Sequence, residues 1–340
     1  MSSVSVREVA TRAGVSVGTV SNVLNRPERV APTTVEKVHH AIDELGYVRN
    51  DAARQLRLGR SRSIGLVLLD VANPFFTDLA RGAEQAAESS GNAILLGNSD
   101  QTAAREARYL DLFEEQRVQG VLISPIGDVD DRVRRLQSRG IPAVLVDRAG
   151  DTELCCSVSV DDFAGGRLAA QHLLDTGRRS LAFVGGPMSI RQIVDRLEGA
   201  RAAASAVPGA TLEHIPIEAP TVLAGRAAGQ ALLTRPATRR PDAVFAVNDL
   251  VAVGILQALI LTGNARVPDE ISLIGYDDIA FAEAAVVPIT SVRQPSELIG
   301  RMAVELVLEE SAALDASAHH EHRHVVFQPE LVERDSTARR

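Results

Sequence analysis

The sequence predicts a small all-α domain at the amino terminus, followed by a larger α/β body of two lobes, each with a doubly wound parallel sheet. Three observations predict this architecture. Helix-capping signals and glycine stops recur within the first 46 residues. Continuous apolar runs alternate with helix-like stretches from residue 63 onward. The chain has 340 residues, which is too long for one ordinary hydrophobic core and suits two or three domains.

The charges are divided unevenly along the chain. The net charge is −8, yet residues 1–62 contain 10 basic and 6 acidic residues, a net of +4, which leaves −12 on the remainder. A basic head on an acidic body indicates that only the head approaches a polyanion such as a nucleic acid. Chance segregation on a solvated surface is the alternative, and charge by itself does not separate the two.

Composition also bears on the compartment. The sequence contains no run of about 18 apolar residues, and its amino terminus lacks the basic-then-apolar pattern of a secretory signal. We therefore expect a cytoplasmic protein without a membrane partner. The two cysteines, Cys155 and Cys156, are adjacent, so we expect buried thiols and no disulfide framework.

The first helix is bounded by clear signals. Ser5 and Glu8 fit a capping box, and Gly14 fits the left-handed residue that ends a helix. Between them, apolar residues recur at the spacing of one helical face. These signals predict a short helix that packs one face against a partner.

A second helix follows after a short turn. Ser16 is a good N-cap, and Val20 and Val23 would point inward, which leaves Val17 and Asn22 on the opposite face. A helix, a short turn with glycine and a second helix is the arrangement that places the second helix in the major groove of DNA.

The third helix is predicted from near Thr33 to Gly46, with Thr33 and Glu36 as a second capping box. After it, Asn50 can cap and Gly59 can end a short helix. Helices below about 12–15 residues rarely persist alone in water, so this one needs a partner, which a second copy on DNA would provide. A charged linker is the alternative, and Leu56 argues against it.

The sequence of the body predicts repeated β-α units. Apolar runs typical of buried parallel strands alternate with helix-like stretches, which implies parallel sheets with right-handed crossovers. The strand count is too high for one compact sheet, so we expect two lobes. The predicted boundaries are a head at 1–48, a hinge at 49–62 and a body at 63–340. The N-lobe would contain about 63–160 plus 290–320, and the C-lobe about 161–289 plus 321–340.

Polar residues follow several of these strands. Asn73, Ser124, Asp147 with Arg148, Asn248 and Asp277 stand where strands are predicted to end. Ligands of open α/β sheets bind beyond the carboxyl ends of the strands. Carboxylates and amides that converge there can bond several hydroxyl groups, and an arginine fork can pair with vicinal hydroxyls or a carboxylate.

Two dense motifs in the head carry a family resemblance. Residues 6–25, VREVAxxAGVSxxTVSxVLN, and residues 41–56, AIDELGYxxNxxARxL, resemble the head of the lactose-repressor (LacI/GalR) family. The likeness continues to ELVERDST at 330–337, so it covers nearly the whole chain. It implies a homodimeric transcriptional regulator, most commonly a repressor released by its effector, with co-repression as the other sense. It also implies lobes like those of periplasmic sugar-binding proteins.

The resemblance implies which residues contact a near-palindromic double-stranded operator. Base contacts would come from Val17, Gly18 and Asn22, and from Ala53 and Leu56 in the hinge, where Leu56 wedges between base pairs in the minor groove. Phosphate contacts would come from Ser16, Thr19, Ser21, Asn25, Thr34, Asn50, Arg54 and Arg57. Ala31 stands where the family often has a hydroxyl residue, so one phosphate contact is expected to be missing.

The resemblance likewise implies a set of effector contacts. These are Phe76, Ser124, Asp147, Arg196, Asn248, Asp277 and Gln294, to which Arg148 is added at its strand end. The effector would be a sugar or sugar derivative. Pro220 and Val160 stand at positions that are often aromatic in the family, which puts a simple hexose in doubt.

Enzyme and metal functions have weaker support. The sequence has no phosphate-binding loop, nucleophile elbow or HExxH motif, so we expect no enzyme and no cofactor. A solute-binding protein with a vestigial head is the other alternative. Residues 319–324 hold four of the eight histidines and could bind a transition metal. We favour a surface loop before the last strand and expect no metal.

Overall fold

The computed structural model describes residues 4–47, 61–148, 154–261 and 265–338. The chain divides into two compact units, Met1–Ser61 and Arg62–Arg340. The boundary falls at the end of the segment that the sequence places between head and body.

The first unit is built from three short helices around one small core. Its helices are α1 (Val6–Ala13), α2 (Val17–Asn25) and α3 (Pro32–Leu45). Val9, Val20 and Val38, one from each helix, are fully buried in the same cluster. Since each of the three helices buries one face in this core, the predicted helical head is confirmed.

The signals at the ends of α1 and α2 act as predicted. The Ser5 hydroxyl accepts a hydrogen bond from the backbone N–H of Glu8, and the Glu8 carboxylate accepts one from the backbone N–H of Ser5. Gly14 ends α1 with a φ of 68°. The Ser16 hydroxyl caps α2 by accepting from the backbone N–H of Thr19 at 3.0 Å.

The prediction of a second capping box, Thr33 with Glu36, was wrong. α3 begins at Pro32 and its N-cap is Ala31, two residues before the predicted cap, and Ala31 makes no side-chain hydrogen bond to the helix. Proline has a fixed φ and no N–H, so it is well suited to the first position of a helix. Pro32 therefore starts the helix, and Thr33 lies inside it.

The second unit contains two six-stranded sheets. The first sheet has the order β11-β5-β4-β3-β1-β2 and the second the order β12-β10-β9-β8-β6-β7. The strands are β1 (Ser63–Leu68), β2 (Ala93–Asn98), β3 (Gly120–Ile123), β4 (Ala143–Val146), β5 (Cys156–Val160), β6 (Ser180–Gly185), β7 (Thr211–Pro216), β8 (Ala243–Ala246), β9 (Ser272–Asp277), β10 (Thr290–Arg293), β11 (His324–Phe327) and β12 (Glu330–Val332).

Helices connect these strands and cover the sheets. They are α4 (Pro74–Ser89), α5 (Ala103–Glu115), α6 (Asp130–Ser138), α7 (Asp162–Asp175), α8 (Arg191–Ala206), α9 (Val222–Thr234), α10 (Asp249–Leu261), α11 (Ala280–Glu283) and α12 (Ser296–Asp315). All described strand pairs are parallel except β10 with β12. The predicted pair of parallel-sheet lobes is thus confirmed.

The two lobes exchange chain segments later than the sequence predicted. β10 pairs in parallel with β9, so residues 290–293 lie in the second sheet and not in the N-lobe. β11 pairs with β5, so residues 324–327 lie in the first sheet and not in the C-lobe. Within the segment 290–320, which the sequence assigned to the N-lobe, only α12 packs against that lobe, where it contacts α4 and the first sheet. Apolar periodicity identifies a strand but does not identify the neighbour whose backbone completes its hydrogen bonds.

Three helix pairs approach closely because each partner has a glycine at the crossing. A Cβ added at any of these glycines would lie 2.0–2.2 Å from a backbone oxygen of the opposite helix. The pairs are Gly82 with Gly300 (α4, α12), Gly166 with Gly199 (α7, α8) and Gly225 with Gly254 (α9, α10). The α7–α8 crossing holds the backbone of Arg196, whose carbonyl oxygen is the atom nearest Gly166.

None of the described helices is both long enough and apolar enough to cross a lipid bilayer.

Candidate nucleic-acid interface and ligand cleft

The second helix of the head presents one face to solvent. Val20 and Val23 are buried, whereas Val17, Gly18 and Asn22 are exposed, and Val17 leaves 42% of its surface uncovered. An exposed apolar and amide pair on one helical face can contact a thymine methyl group and the N6 and N7 atoms of adenine. All three residues proposed for base contact within this helix therefore lie on its outer face.

Of the four proposed phosphate contacts whose side chains the structure describes, three lie at helix amino termini. Ser16 and Thr19 stand at the start of α2, with their hydroxyl oxygens 2.9 Å apart, and Thr34 lies half-buried in the first turn of α3. Ser21 is half-buried within α2. The positive end of a helix and its N–H groups favour a phosphate. The other proposed contacts, Asn50, Ala53, Arg54, Leu56 and Arg57, lie outside the described residues, as does the side chain of Asn25.

In the second unit, a cleft lies between the carboxyl ends of the two sheets. The strand order β2-β1-β3 and its counterpart β7-β6-β8 place a topological switch point in each sheet, where open α/β sheets bind ligands. The space between the lining residues is about 520 Å³, which includes the part that is open to solvent. The N-lobe lines it with Leu69, Asp70, Asn73, Phe75, Phe76, Gln101 and Asp147, and the C-lobe with Ile190, Gln192, Ile193, Arg196, Pro220, Val247, Asn248 and Asp277.

Arg196 is the cationic centre of this cleft. Its side chain is buried, and Nε donates to Asp162 Oδ1 at 2.7 Å while Nη1 donates to the carbonyl oxygen of Val247 at 2.9 Å. Nη1 also lies 3.8 Å from Asp277 Oδ1, and the guanidinium carbon lies 3.7 Å from the centre of the Tyr276 ring. These contacts fix the guanidinium plane, so the arginine is preorganised before any ligand arrives.

The side chains of Asn73 and Gln192 donate hydrogen bonds that connect the lobes across the cleft. Asn73 Nδ2 of the N-lobe donates to Asp277 Oδ2 of the C-lobe at 2.9 Å. Gln192 Nε2 of the C-lobe donates to Asp147 Oδ2 of the N-lobe at 2.9 Å. A ligand that takes over any of these polar atoms would change the contacts that hold the lobes together, which couples the cleft to the relative position of the lobes.

Backbone strain is concentrated at the same place. Seven described residues other than glycine have a positive φ, and five of them stand just beyond or at the carboxyl ends of strands near the cleft. These are Asp100, Gln101, Asp147, Asp277 and Asp278. Such conformations cost about 1–3 kcal/mol each and are retained where the surrounding structure holds them, often at functional sites.

The cleft contains more carboxyl groups than cationic groups. Burial raises the pKa of Asp147 well above its ordinary value of 3.8. The nearby carboxyl group of Asp162 raises this pKa further, whereas the positive charge of Arg196 lowers it. Burial also raises the pKa values of Asp162 and Asp277. Because one guanidinium serves three carboxyl groups, the cleft disfavours an anion and suits a neutral ligand that donates hydrogen bonds.

Five of the eight proposed effector contacts line the cleft: Phe76, Asp147, Arg196, Asn248 and Asp277. Asn248 donates to the Pro220 carbonyl oxygen at 3.2 Å and accepts from the backbone N–H of Val251, so it also orders the start of α10.

The other three lie elsewhere. Gln294 stands behind the lining and donates to Asp277 Oδ1 at 2.8 Å. Ser124 is fully buried and is not among the lining residues. Arg148 follows Asp147 but donates to the carbonyl oxygen of Gly127, away from the cleft. Strand ends predict which backbone reaches the cleft, whereas the turn decides where each side chain goes.

Four polar lining residues, Asp70, Asn73, Gln101 and Gln192, are absent from the set proposed on the sequence. The sequence places Asn73 at a strand end, whereas no pattern considered there singles out Gln192. Gln192 stands four residues before Arg196 on α8, which is one helical turn, so that spacing could have found it. Of the two positions expected to be less aromatic, Pro220 lines the cleft, while Val160 is buried and does not.

Asp147 allows a test by pH. Because its folded-state pKa is raised above 3.8, stability is lost as the pH rises from 3.8 through the folded-state value. We expect Asp147→Asn to stabilise the protein at pH 7 by about 0.5–2 kcal/mol, with a smaller gain at lower pH, and to weaken effector binding. Urea unfolding over a range of about pH 5 to pH 8, where most folded proteins are near their maximal stability, measures this gain.

The matched control is Asp131→Asn, because Asp131 is fully exposed on α6 of the same lobe. It should change stability by less than about 0.5 kcal/mol at every pH. If both variants behaved alike, the assigned charge imbalance in the cleft would be wrong.

Comparison with known proteins gives two family matches. Residues 5–50 match the model of bacterial regulatory proteins of the lacI family, and residues 170–337 match that of periplasmic binding protein-like domains. The HTH-type transcriptional repressor PurR of Vibrio atlanticus (strain LGP32) is 32% identical over 335 residues, 97% of this chain and 98% of that repressor.

Solved structures are similar along the whole chain. The complex of the transcriptional regulator CelR with cellobiose is 33% identical, has a TM-score of 0.69 and covers 98% of this chain and 99% of its own. The Lac repressor dimer bound to operator and the anti-inducer ONPF is 25% identical, has a TM-score of 0.82 and covers 99% of each chain.

Proposed function

Because the chain belongs to the LacI family of bacterial regulatory proteins, we propose that it is a cytoplasmic repressor that binds a near-palindromic operator as a homodimer. A neutral carbohydrate bound between the lobes would control it. The observation that carries the proposal is the combination, in one chain, of an outward-facing second helix in the head and a polar cleft between two lobes.

The charges and polar atoms of the cleft support a polyhydroxylated effector. Hydroxyl groups can both donate and accept, and the lining offers carboxylates, amides and a fixed guanidinium. Asp147 Oδ1 is buried and has no hydrogen-bond partner among the described residues, so it can accept from a ligand hydroxyl. Phe76 supplies an apolar contact. The excess of carboxyl groups favours a neutral sugar over a sugar phosphate.

The effector would act by changing the pose of the lobes. It would compete for the bonds from Asn73 to Asp277 and from Gln192 to Asp147, which connect the lobes. β1 begins at Ser63, directly after the segment assigned to the hinge, so a shift of the N-lobe moves the end of that segment. Paired hinge segments would bind DNA, and separated ones would release it.

A selection experiment tests the function as a whole. Full-length protein is used to select duplexes from random DNA, with and without a panel of neutral sugars and sugar phosphates. We expect one near-palindromic motif, and release by a neutral sugar. Sugar binding without any DNA preference would instead indicate a solute-binding protein, and conversion of a sugar would indicate an enzyme.

The Asn22→Ala variant tests the base contact. Loss of a bidentate contact to adenine should weaken binding to the preferred operator by about 1–3 kcal/mol and relax the preference at one base position. Binding to a library of single-base operator variants measures this preference. The comparison variant is Thr34→Ala, which should weaken all duplexes uniformly because phosphate contacts do not read sequence. A uniform loss with Asn22→Ala would remove the assigned role.

The homodimer has support from exposed apolar side chains at one edge of the first sheet. β2 is an edge strand, and its adjacent residues Leu95 and Leu96 are 38% and 47% exposed. Leu112 of α5 is also exposed, at 42%. An uncovered apolar edge strand promotes association, so we assign this edge to the contact with a second copy.

A further inference from the structure

Four metal-ligating side chains converge at the amino-terminal edge of the first sheet, opposite the cleft. Cys156 is the first residue of β5, Glu310 lies in the last third of α12, and His320 and His322 lie in the segment between α12 and β11. One ligand atom from each residue lies within 4.8 Å of all the others. The residues therefore come from three parts of the chain, and their meeting depends on the fold.

The distances between the atoms are close to those in a metal site. Cys156 Sγ lies 3.2 Å from His320 Nε2 and 3.8 Å from His322 Nδ1, and His322 Nδ1 lies 4.0 Å from Glu310 Oε2. Ligand atoms around tetrahedral Zn²⁺ are separated by about 3.3–3.6 Å, given metal–ligand bonds of about 2.0–2.3 Å. Since the four atoms lie within 4.8 Å of one another, side-chain rotations that bring the more distant pairs together by up to about 1 Å would complete the tetrahedron.

Among the described residues, the hydrogen bonding of Glu310 in this cluster is incomplete. Glu310 is buried, and its Oε2 has no hydrogen-bond partner among the described residues. A buried polar atom without a partner is uncommon in folded proteins, and a bound cation would satisfy this one.

Hydrogen bonds to Cys156 and to its neighbour resemble those that orient metal-bound thiolates in proteins. The backbone N–H of Arg323 donates to Cys156 Sγ at 3.3 Å. In the next residues of the two strands, His324 Nδ1 lies 2.9 Å from Ser157 Oγ. These bonds orient the start of β5 and the end of the histidine segment, as outer contacts do around metal ligands.

From this geometry we propose that Cys156, Glu310, His320 and His322 form a four-coordinate site for Zn²⁺. A thiolate, a carboxylate and two neutral imidazoles cancel the charge of the ion and suit its preference for sulfur and nitrogen ligands. On binding, the Cys156 thiol loses its proton to solvent. Four protein ligands leave no open position, so the site would be structural and would tie α12 and the segment before β11 to β5.

Cobalt titration of the full-length protein, freed of metal by a chelator, tests the site. We expect one Co²⁺ per chain, with a thiolate-to-cobalt charge-transfer band and the visible bands of tetrahedral Co²⁺. Zn²⁺ should displace the cobalt and raise the Tm by at least about 3 °C at saturating concentration. A protein without any charge-transfer band would overturn the proposal.

Matched variants separate this site from other ligands. Cys156→Ser should abolish the charge-transfer band, whereas Cys155→Ser should keep it, since Cys155 is an equally buried neighbour outside the cluster. His322→Ala should abolish tetrahedral binding, whereas His319→Ala, at an exposed position in the same segment, should not.

Each outcome bears on the assignment. A band that survives in Cys156→Ser, or that is lost equally in Cys155→Ser, would contradict it. If Cys156→Ser fails to fold, cobalt binding by variants of the half-buried His320 and His322 tests the site instead. Retention of tetrahedral cobalt in a His320→Ala/His322→Ala double variant would then refute the site. None of these readouts depends on DNA or on an effector, so they stand apart from the proposed function.

Discussion

Replacing Arg196 with methionine should destabilise the second unit by about 3–5 kcal/mol and abolish the response to effector. The substitution leaves Asp162 and Asp277 buried without the guanidinium that faces them, at 2.7 Å and 3.8 Å. It also removes the donor to the carbonyl oxygen of Val247. Breaking one partner of a buried ion pair is far more costly than breaking an exposed pair, because the remaining charge stays out of water.

Urea unfolding of the full-length protein measures the stability change. The matched control is Arg191→Met on the same helix, since Arg191 is 71% exposed and pairs with Asp195 at 2.8 Å. We expect this control to change stability by less than about 1 kcal/mol. Equal stabilities of the two variants would show that Arg196 is not the charge centre of the cleft.

The Arg196→Lys variant distinguishes the contribution of residue 196 to stability from its contribution to effector binding. Arg196→Lys keeps a positive charge near Asp162 but loses the planar fork that also reaches Val247. We expect stability between those of the parent and the methionine variant, with effector response still lost. Normal release from DNA by the effector would exclude the arginine from the binding site.

The second large effect concerns the dimer. Leu96→Glu should yield monomers and lower operator affinity about 10²- to 10⁴-fold, because each monomer then engages one half-site without the advantage of the linked second one. Leu96 is 47% exposed on the edge strand β2, so the added charge should cost little in the folding of one chain. Sedimentation and DNA titration of the same preparation measure both effects.

The control uses the opposite edge of the same sheet. Val326 is 46% exposed on β11, the other edge strand, so Val326→Glu introduces the same charge at a similar exposure. It should remain dimeric and bind operator normally. Dimers with Leu96→Glu, or monomers with both variants, would count against the β2 edge as the interface.

Much of the fold could be predicted because local signals are dense. The capping box at Ser5 and Glu8, the stop at Gly14 and the cap at Ser16 act within a few residues, and the structure has each of them. Thr33 shows the limit of such signals. The sequence there fits two helix starts, and the fixed φ of Pro32 starts the helix two residues before the start that a Thr33 cap would give.

The cleft could be predicted in outline and not in detail. Asp147, Asn248 and Asp277 follow strands in the sequence, and parallel sheets bring such ends together, so their arrival at one cavity is expected. Ser124 and Arg148 also follow predicted strands but do not line it, and Gln294, which only the resemblance singled out, lies behind the lining. Their side-chain directions depend on turns and neighbours that periodicity does not report.

By itself, the sequence determined the helices of the head, the outward face of α2 and the alternation of strands and helices in the body, because these depend on neighbours within a turn or two. The tertiary structure alone decided the sheet that receives β10 and β11, the bond between Asn73 and Asp277 across the lobes, and the meeting of Cys156 with His320. These two residue pairs are separated by 204 and 164 residues, and contacts at such separations arise from packing of the whole chain, which no local pattern encodes.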